Sequence, residues 1–119
     1  MNIHKKKDVG KLGEDIATKY LEKKGFNIIK RNFCCKQGEI DIIAKQDKEI
    51  VFVEVKTRLN NNFGTPAEAI NNLKKMHILK SAQYFLYKTK LFDRDVRFDA
   101  IEVLLQNGKF IVNHIEGIM

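Results

Sequence analysis

Asp41, Glu54 and Lys56 are the residues whose types and spacing could do chemistry: two carboxylates and an ammonium inside the two most strand-like runs of the chain, Glu39 to Lys45 and Glu49 to Thr57. Each run alternates with the two-residue period of a strand. Only Gln46, Asp47, Lys48 and Glu49 are available for the turn, so a hairpin centred between Asp47 and Lys48 is the natural connection. That centre sets the register. Asp41 faces Glu54, Glu39 faces Lys56 and Ile43 faces Phe52, while Ile40, Ile42 and Ala44 face Val55, Val53 and Val51 to make one wholly apolar face.

Opposed residues in such a pair hold their Cβ atoms ~4.5–5.5 Å apart, and like charges at that distance are destabilising. A hard divalent cation such as Mg²⁺ or Mn²⁺, which takes carboxylate, carbonyl and water oxygens, would offset the repulsion between Asp41 and Glu54. Lys56, two residues beyond Glu54 on the same face, could hold a metal-bound water or an anionic substrate oxygen. The same spacing also fits a solvated hairpin face carrying a Glu39–Lys56 pair. Spacing alone leaves both readings standing.

The elements that must position these residues follow from the rest of the pattern. A helix is expected from about Asp8, as N-cap, to Lys24, with Gly25 as its stop. Val9, Leu12, Ile16, Tyr20 and Leu21 form its apolar stripe, and Gly10, Gly13 and Ala17 leave room for close backbone approach. Glu14 lies at the border of the stripe, where it could join Asp41 and Glu54 as a third carboxylate if the helix lies beside the charged edge of the hairpin. Phe26 to Arg31 is expected to be a strand and Phe33 to Gln37 a turn.

After the hairpin, Asn60 to Gly64 reads as a polar loop. Thr65 as N-cap, Pro66 at the first helical position and Glu68 three residues after Thr65 make a capping box. The helix that follows should carry Ala69, Leu73, Met76, Leu79, Ala82 and Leu86 inward and end near Lys88. Val96 to Leu105 and Lys109 to Ile115 are expected strands, joined through the type I′ signal Asn107-Gly108. The order is αβββαββ, an α/β sandwich with helices covering the sheet.

At 119 residues the chain is expected to be one domain, 1–119; a chain of this size buries about two thirds of its unfolded surface. Lys and Arg outnumber Asp and Glu by 22 to 15, a net charge of +7 that favours polyanionic partners. Cys34 and Cys35 are adjacent, with no Cys-x-x-Cys spacing, so neither a disulfide framework nor a zinc site is readable. His4, His77 and His114 are scattered and read as surface or boundary residues. No apolar run follows the basic start Met1 to Lys7, and none approaches the ~20 residues that span a membrane. The expected compartment is the cytoplasm, without membrane contact.

The ordered set Gly10-x-x-Gly13-Glu14, Arg31-Asn32, Gly38-Glu39-Ile40-Asp41, Phe52-Val53-Glu54-Val55-Lys56-Thr57-Arg58, Phe63-Gly64, Lys74 and Arg97-Phe98-Asp99 resembles the PD-(D/E)xK nuclease superfamily. More closely it is similar to the YraN-like family, which is related to archaeal-type Holliday junction resolvases. The resemblance implies a restriction-endonuclease-like αβββαββ core, a mixed sheet flanked by helices, and Mg²⁺- or Mn²⁺-dependent hydrolysis of phosphodiester bonds in DNA, with branched or junction DNA as one substrate. Asp41 and Glu54 match the metal-binding carboxylates, Lys56 the catalytic lysine, and Glu14 the helix carboxylate of resolvase-type members. The backbone carbonyl of Val55 would join Asp41, Glu54 and Glu14 around the metal. Arg58, Lys74 and Arg97 are the candidates for phosphate contacts. Ile40 stands where the proline that names the motif would be, and Glu39 adds a carboxylate. A homodimer would suit a junction substrate. The other reading is a catalytically silent nucleic-acid-binding module in a DNA repair, recombination or uptake complex.

Overall fold

A computed structural model describes residues 6–59, 72–91 and 93–119. The chain forms α1 (Lys6–Lys23), β1 (Asn27–Cys35), β2 (Gly38–Gln46), β3 (Glu49–Arg58), α2 (Asn72–Thr89), β4 (Asp95–Gln106) and β5 (Lys109–Ile115). The strands make one five-stranded mixed sheet in the order β1-β2-β3-β4-β5. Every neighbouring pair is antiparallel except β3 and β4, which run parallel. A parallel pair needs a crossover, and the stretch containing α2 supplies it. The architecture is compatible with a restriction-endonuclease-like core.

The two helices cover opposite faces of the sheet. Ala17 and Leu21 of α1 pack with Ile42, Ala44, Val51, Val53, Ile101 and Val103. Ala82 and Phe85 of α2 pack with Phe33, Ile40, Ile43, Ile50 and Phe52. Burying each such aliphatic or aromatic side chain stabilises the fold by roughly 1.5–3 kcal/mol. Double coverage explains why the centres of β2 and β3 are buried on both sides.

The β2–β3 hairpin has the expected register, with Ile42 opposite Val53, Ile43 opposite Phe52 and Gln46 opposite Glu49. The apolar face is not the continuous one expected. Ile42 and Ala44 lie on the α1 side, whereas Ile40 joins Phe33, Ile43 and Phe52 on the α2 side. Strict alternation is interrupted around Asp41, where the β2–β3 ladder also ends. On the neighbouring strand Asn32 has a φ of 52°, a left-handed value that Asn tolerates better than most residues. The strand there runs on to Cys35, through the stretch expected to be a turn.

Helix α1 begins before Asp8, so Asp8 sits inside the first turn, where its charge meets the positive end of the helix dipole. Its end is as expected. Gly25 has a φ of 93°, Phe26 N–H donates to Leu21 O at 3.0 Å and Gly25 N–H to Glu22 O at 3.0 Å, the paired bonds of a Schellman stop. Asn107 and Gly108 both have positive φ, as a type I′ turn requires.

Helix α2 turns inward a face that meets the expected one only at Ala82 and Leu86. Ile78, Ser81, Ala82 and Phe85 are buried, while Leu73, Met76 and Leu79 are 62%, 52% and 43% exposed. Apolar residues lie all round this helix, so periodicity could not choose between its sides. The choice falls to Phe85, whose ring stands edge-on to Phe33 and Phe52 at 5.3 and 6.0 Å. The expected loop Asn60 to Gly64 and the capping box of Thr65, Pro66 and Glu68, with Ala69, lie outside the described residues. Among those described, no helix is long and apolar enough to cross a membrane.

Candidate functional site

The site is built where the β2–β3 ladder opens. Beyond the Ile42–Val53 pair, the Asp41 side chain takes over from the main chain: Val55 N–H donates to Asp41 Oδ2 at 2.8 Å. That bond holds the Asp41 carboxyl in the sheet, 8% exposed, beside Glu54 on the adjoining strand. Burial, then the neighbouring Glu54, pushes the Asp41 pKa up to about 8, with Glu14 and Glu39 adding to the effect and the Val55 N–H opposing it. Four carboxylates from three elements therefore act on one another. Their mutual repulsion is the condition a cation relieves.

One cation is already there. Lys74 of α2 places its ammonium 2.6 Å from Glu54 Oε1. Burial alone would lower the Lys74 pKa, but its bond to Glu54 and the nearby charges of Glu54, Asp41 and Glu39 leave it raised.

Glu14 arrives from the other face of the sheet, and a glycine makes that possible. A Cβ on Gly13 would lie 1.7 Å from Thr57 Oγ1, so only glycine lets α1 rest directly on β3 at this point. The next residue, Glu14, consequently borders an open hollow lined also by Val9, Gly10, Val55, Lys56, Thr57 and Leu59. Burial raises the Glu14 pKa, against the opposing pull of Arg31 and a hydrogen bond involving Asn32. Arg31 stands 3.9 Å from Glu14 and 2.8 Å from Asp15. Lys56 lines the same hollow and is exposed.

Of the residues named from sequence, Asp41, Glu54, Glu14, Val55, Lys56 and Lys74 are thus gathered in one region. Arg58 and Arg97 are placed elsewhere. Arg58 is 7% exposed and pairs with Glu102 at 2.7 Å, inside the parallel β3–β4 pair. Arg97 grips both oxygens of Asp99, at 2.9 and 3.0 Å, and also reaches Glu49 at 3.1 Å. Both guanidinium groups are paired with acids of the fold.

His114 is a boundary residue, as expected, but its side chain is only 8% exposed. Its Nε2 meets Asp99 Oδ2 at 2.8 Å and its Nδ1 meets the Tyr20 hydroxyl at 3.0 Å. Asp99 is fully buried; burial would raise its pKa, but bonds from His114, Arg97 and the Gly117 N–H hold it below the usual carboxylate range. This chain of four residues ties α1 to β4 and β5. Arg97 and Asp99, two apart on β4, share a strand face and could be paired from sequence, whereas Tyr20 and His114 join them only through the fold.

Among the described residues no group of three or more His, Cys, Asp or Glu is arranged around a single metal position. The chemistry of the donors nevertheless fits a hard cation: the groups of Asp41, Glu54 and Glu14 are all carboxylate oxygens, in excess of local positive charge, and a lysine ammonium already neutralises one of them.

The matches to known proteins agree with one another. The model of Uncharacterised protein family UPF0102 matches residues 13–103. A UPF0102 protein of Caldanaerobacter subterraneus subsp. tengcongensis is 50% identical over 113 residues, covering 92% of this chain and 93% of its own. One from Caldicellulosiruptor bescii is 48% identical over 110 residues, covering 92% of each chain, and one from Clostridium perfringens is 42% identical over 112 residues with the same coverage. Among solved structures, Pyrococcus furiosus SfsA in complex with Ca²⁺ gives a TM-score of 0.39 at 17% identity, covering 93% of this chain and 63% of that one. A likeness of that size adds nothing to the functional reading. The family model spans most of the chain and the relatives match nearly end to end, so the chain belongs to Uncharacterised protein family UPF0102, the YraN family.

Proposed function

We propose that the chain is a metal-dependent endonuclease that hydrolyses phosphodiester bonds in DNA. The observation that carries this reading is the buried Asp41 carboxyl, pushed up to about 8 beside Glu54. A fold tolerates such crowding of acids at a cost, and sites where charges are forced together are disproportionately functional. Asp41, Glu54 and the Val55 carbonyl would hold Mg²⁺ or Mn²⁺, with Glu14 completing the site from α1. Bound there, the ion would polarise a phosphate oxygen and lower the pKa of a water. Asp41 keeps β2 and β3 in place through its bond from Val55 N–H, so the carboxylates are held by the sheet and not by a loop. Lys56, exposed on the hollow, orients the attacking water or steadies charge developing on the phosphate. With a metal on Glu54, Lys74 would be the residue displaced and would be in reach of a phosphate oxygen.

A catalytically silent nucleic-acid-binding module is the second reading, and the Lys74–Glu54 pair is what favours it, because that pair already satisfies Glu54. A cleavage screen over linear duplex, single-stranded and four-way DNA with Mg²⁺, Mn²⁺ or EDTA separates the two. Metal-dependent cutting that is lost in Glu54→Gln supports the nuclease; binding without cutting under every condition supports the module.

A further inference from the structure

Helix α2 contains four lysines and no acid over Asn72–Thr89. Leu73, Met76, Lys80, Tyr84 and Tyr87 follow one another at steps of three and four residues, which places them on one stripe turned from the buried face, with Tyr84 at its edge against Phe33 of β1. Met76 is 52%, Tyr84 42% and Tyr87 77% exposed. At 1.5 Å per residue the stripe is about 21 Å long. Large apolar and aromatic side chains exposed in one row, interrupted by a lysine, mark a candidate interaction surface.

Three features select the occupant. A second copy of the chain seated helix against helix would set four lysines against four lysines with no acid on either side, whereas a polyanion neutralises them. The exposed rings offer π-faces to unpaired bases, and Tyr84 is held in place for this by stacking on Phe33 at 6.2 Å and 30°. Lys74, on the first described turn but on the side of α2 turned to the sheet, touches Glu54, so the N-terminal end of the helix that carries the stripe borders the crowded carboxylates.

We propose that the outward face of α2 binds a single-stranded stretch of nucleic acid, with bases stacked on Tyr84 and Tyr87 and a phosphate on Lys80, and leads the strand to Asp41 and Glu54. Paired bases offer no free face to stack, so duplex gains little from these rings. The inference names the substrate class of the proposed nuclease and rests on that reading only for where the strand goes.

The test is anisotropy of a labelled, unstructured oligonucleotide and of a hairpin duplex of equal length, both in EDTA so that no cleavage intervenes. The double variant Tyr84→Ala/Tyr87→Ala should weaken single-strand binding at least tenfold and change duplex binding less than twofold, Tyr87→Phe should bind as wild type, and Lys80→Gln should flatten the salt dependence. Circular dichroism and melting of each variant show that the fold is retained. Wild-type preference for duplex, or unchanged single-strand binding in the double variant, overturns the inference. So does wild-type self-association that Tyr87→Ala abolishes, which would give the face to a second copy. If wild type cuts nothing while the stripe variants still lose single-strand binding, this inference stands and the cleavage reading falls. If wild type cuts and the stripe variants cut and bind equally well, the reverse holds.

Discussion

The ammonium of Lys74 lies 2.6 Å from Oε1 of Glu54, joining α2 to the β3 carboxylate that crowds Asp41. A lysine in that place does for the metal-free protein what a divalent ion would do for the loaded one. The two cations cannot both sit on the same oxygen.

Competition of this kind has a direct signature. Mn²⁺ or Mg²⁺ should raise the melting temperature of the protein, by about 2.7 kcal/mol of added stability at a hundredfold excess over Kd. Lys74→Ala should lower the apparent Kd for Mn²⁺, since the ion no longer displaces an ammonium. Calorimetric titration of both proteins checks it; a Kd that rises in Lys74→Ala would show that Lys74 supports the metal instead.

Asp41 predicts a pH dependence of unusual sign for a carboxyl. Its folded pKa, about 8, stands above the ordinary Asp value, so the folded state holds the proton more tightly than the unfolded chain. The stability this gives is full below about pH 4 and is lost as pH rises toward 8, while Glu14, Glu39 and Glu54 face the same group. Asp41→Asn keeps an oxygen for the Val55 N–H and removes the charge. It should melt higher than wild type at pH 8 to 9, by roughly 4 °C for each kcal/mol gained, and should lose the metal-dependent shift. Urea unfolding from pH 4 to 9 measures both slopes.

Lys56→Ala separates binding from chemistry. Both carboxylates remain, so metal and DNA should still bind, yet cleavage should fall at least a hundredfold if Lys56 orients the water or steadies the phosphate. Glu54→Ala should lose metal affinity and cleavage together. Single-turnover cleavage run beside a metal titration of each variant gives the answer, and equal cleavage by wild type and Lys56→Ala would refute the assignment.

Gly13→Ala tests how Glu14 reaches the site. The added methyl would collide with Thr57 Oγ1 and with Thr57 Cβ, 2.8 Å away, neither of which can swing far on a β-branched side chain. A loss of about 1–3 kcal/mol is expected, as for other overpacked contacts, with partial recovery in Gly13→Ala/Thr57→Ala. Denaturant unfolding of the four proteins of this cycle checks it.

Arg97→Ala should weaken the fold and not merely DNA affinity. Asp99 would be left buried with His114 and the Gly117 N–H but without its guanidinium, a change that costs about 3–5 kcal/mol when one partner of a buried pair is removed. A variant that melts like wild type but binds DNA less tightly would return Arg97 to the nucleic-acid surface.

The β2–β3 hairpin could be read from sequence because a two-residue turn leaves few registers, and counting from that turn sets Asp41 near Glu54. The succession of elements along the chain and the type I′ turn were open to local reading for the same reason: each depends on residues close together in the chain. What the pattern hid was decided by contacts between distant segments. Ile40 changes sides because the ladder breaks at Asp41, and α2 turns Phe85 inward because two phenylalanines of the sheet receive it. Arg58 and Arg97 looked like surface cations because their acids, Glu102 and Asp99, sit on a strand reached only after the crossover or on the same strand as Arg97, where neighbouring charge does not reveal burial. Lys74 could be placed near the site but not on Glu54, since nothing local fixes where a helix lands on a sheet.

The seating of Gly13 on Thr57 divides the site between two structural units. Asp41 and Glu54 belong to the hydrogen-bonded sheet, while Glu14 rides on a helix joined to it by side-chain packing and a few side-chain bonds, Tyr20 to His114 and Asp15 to Arg31 among them. Packed helices can lift away as a unit at less cost than a whole domain unfolds. When α1 lifts, the sheet keeps two of its acids and the third departs with the helix. Completeness of the site is therefore a property of helix docking, and it can vary while the sheet stays intact.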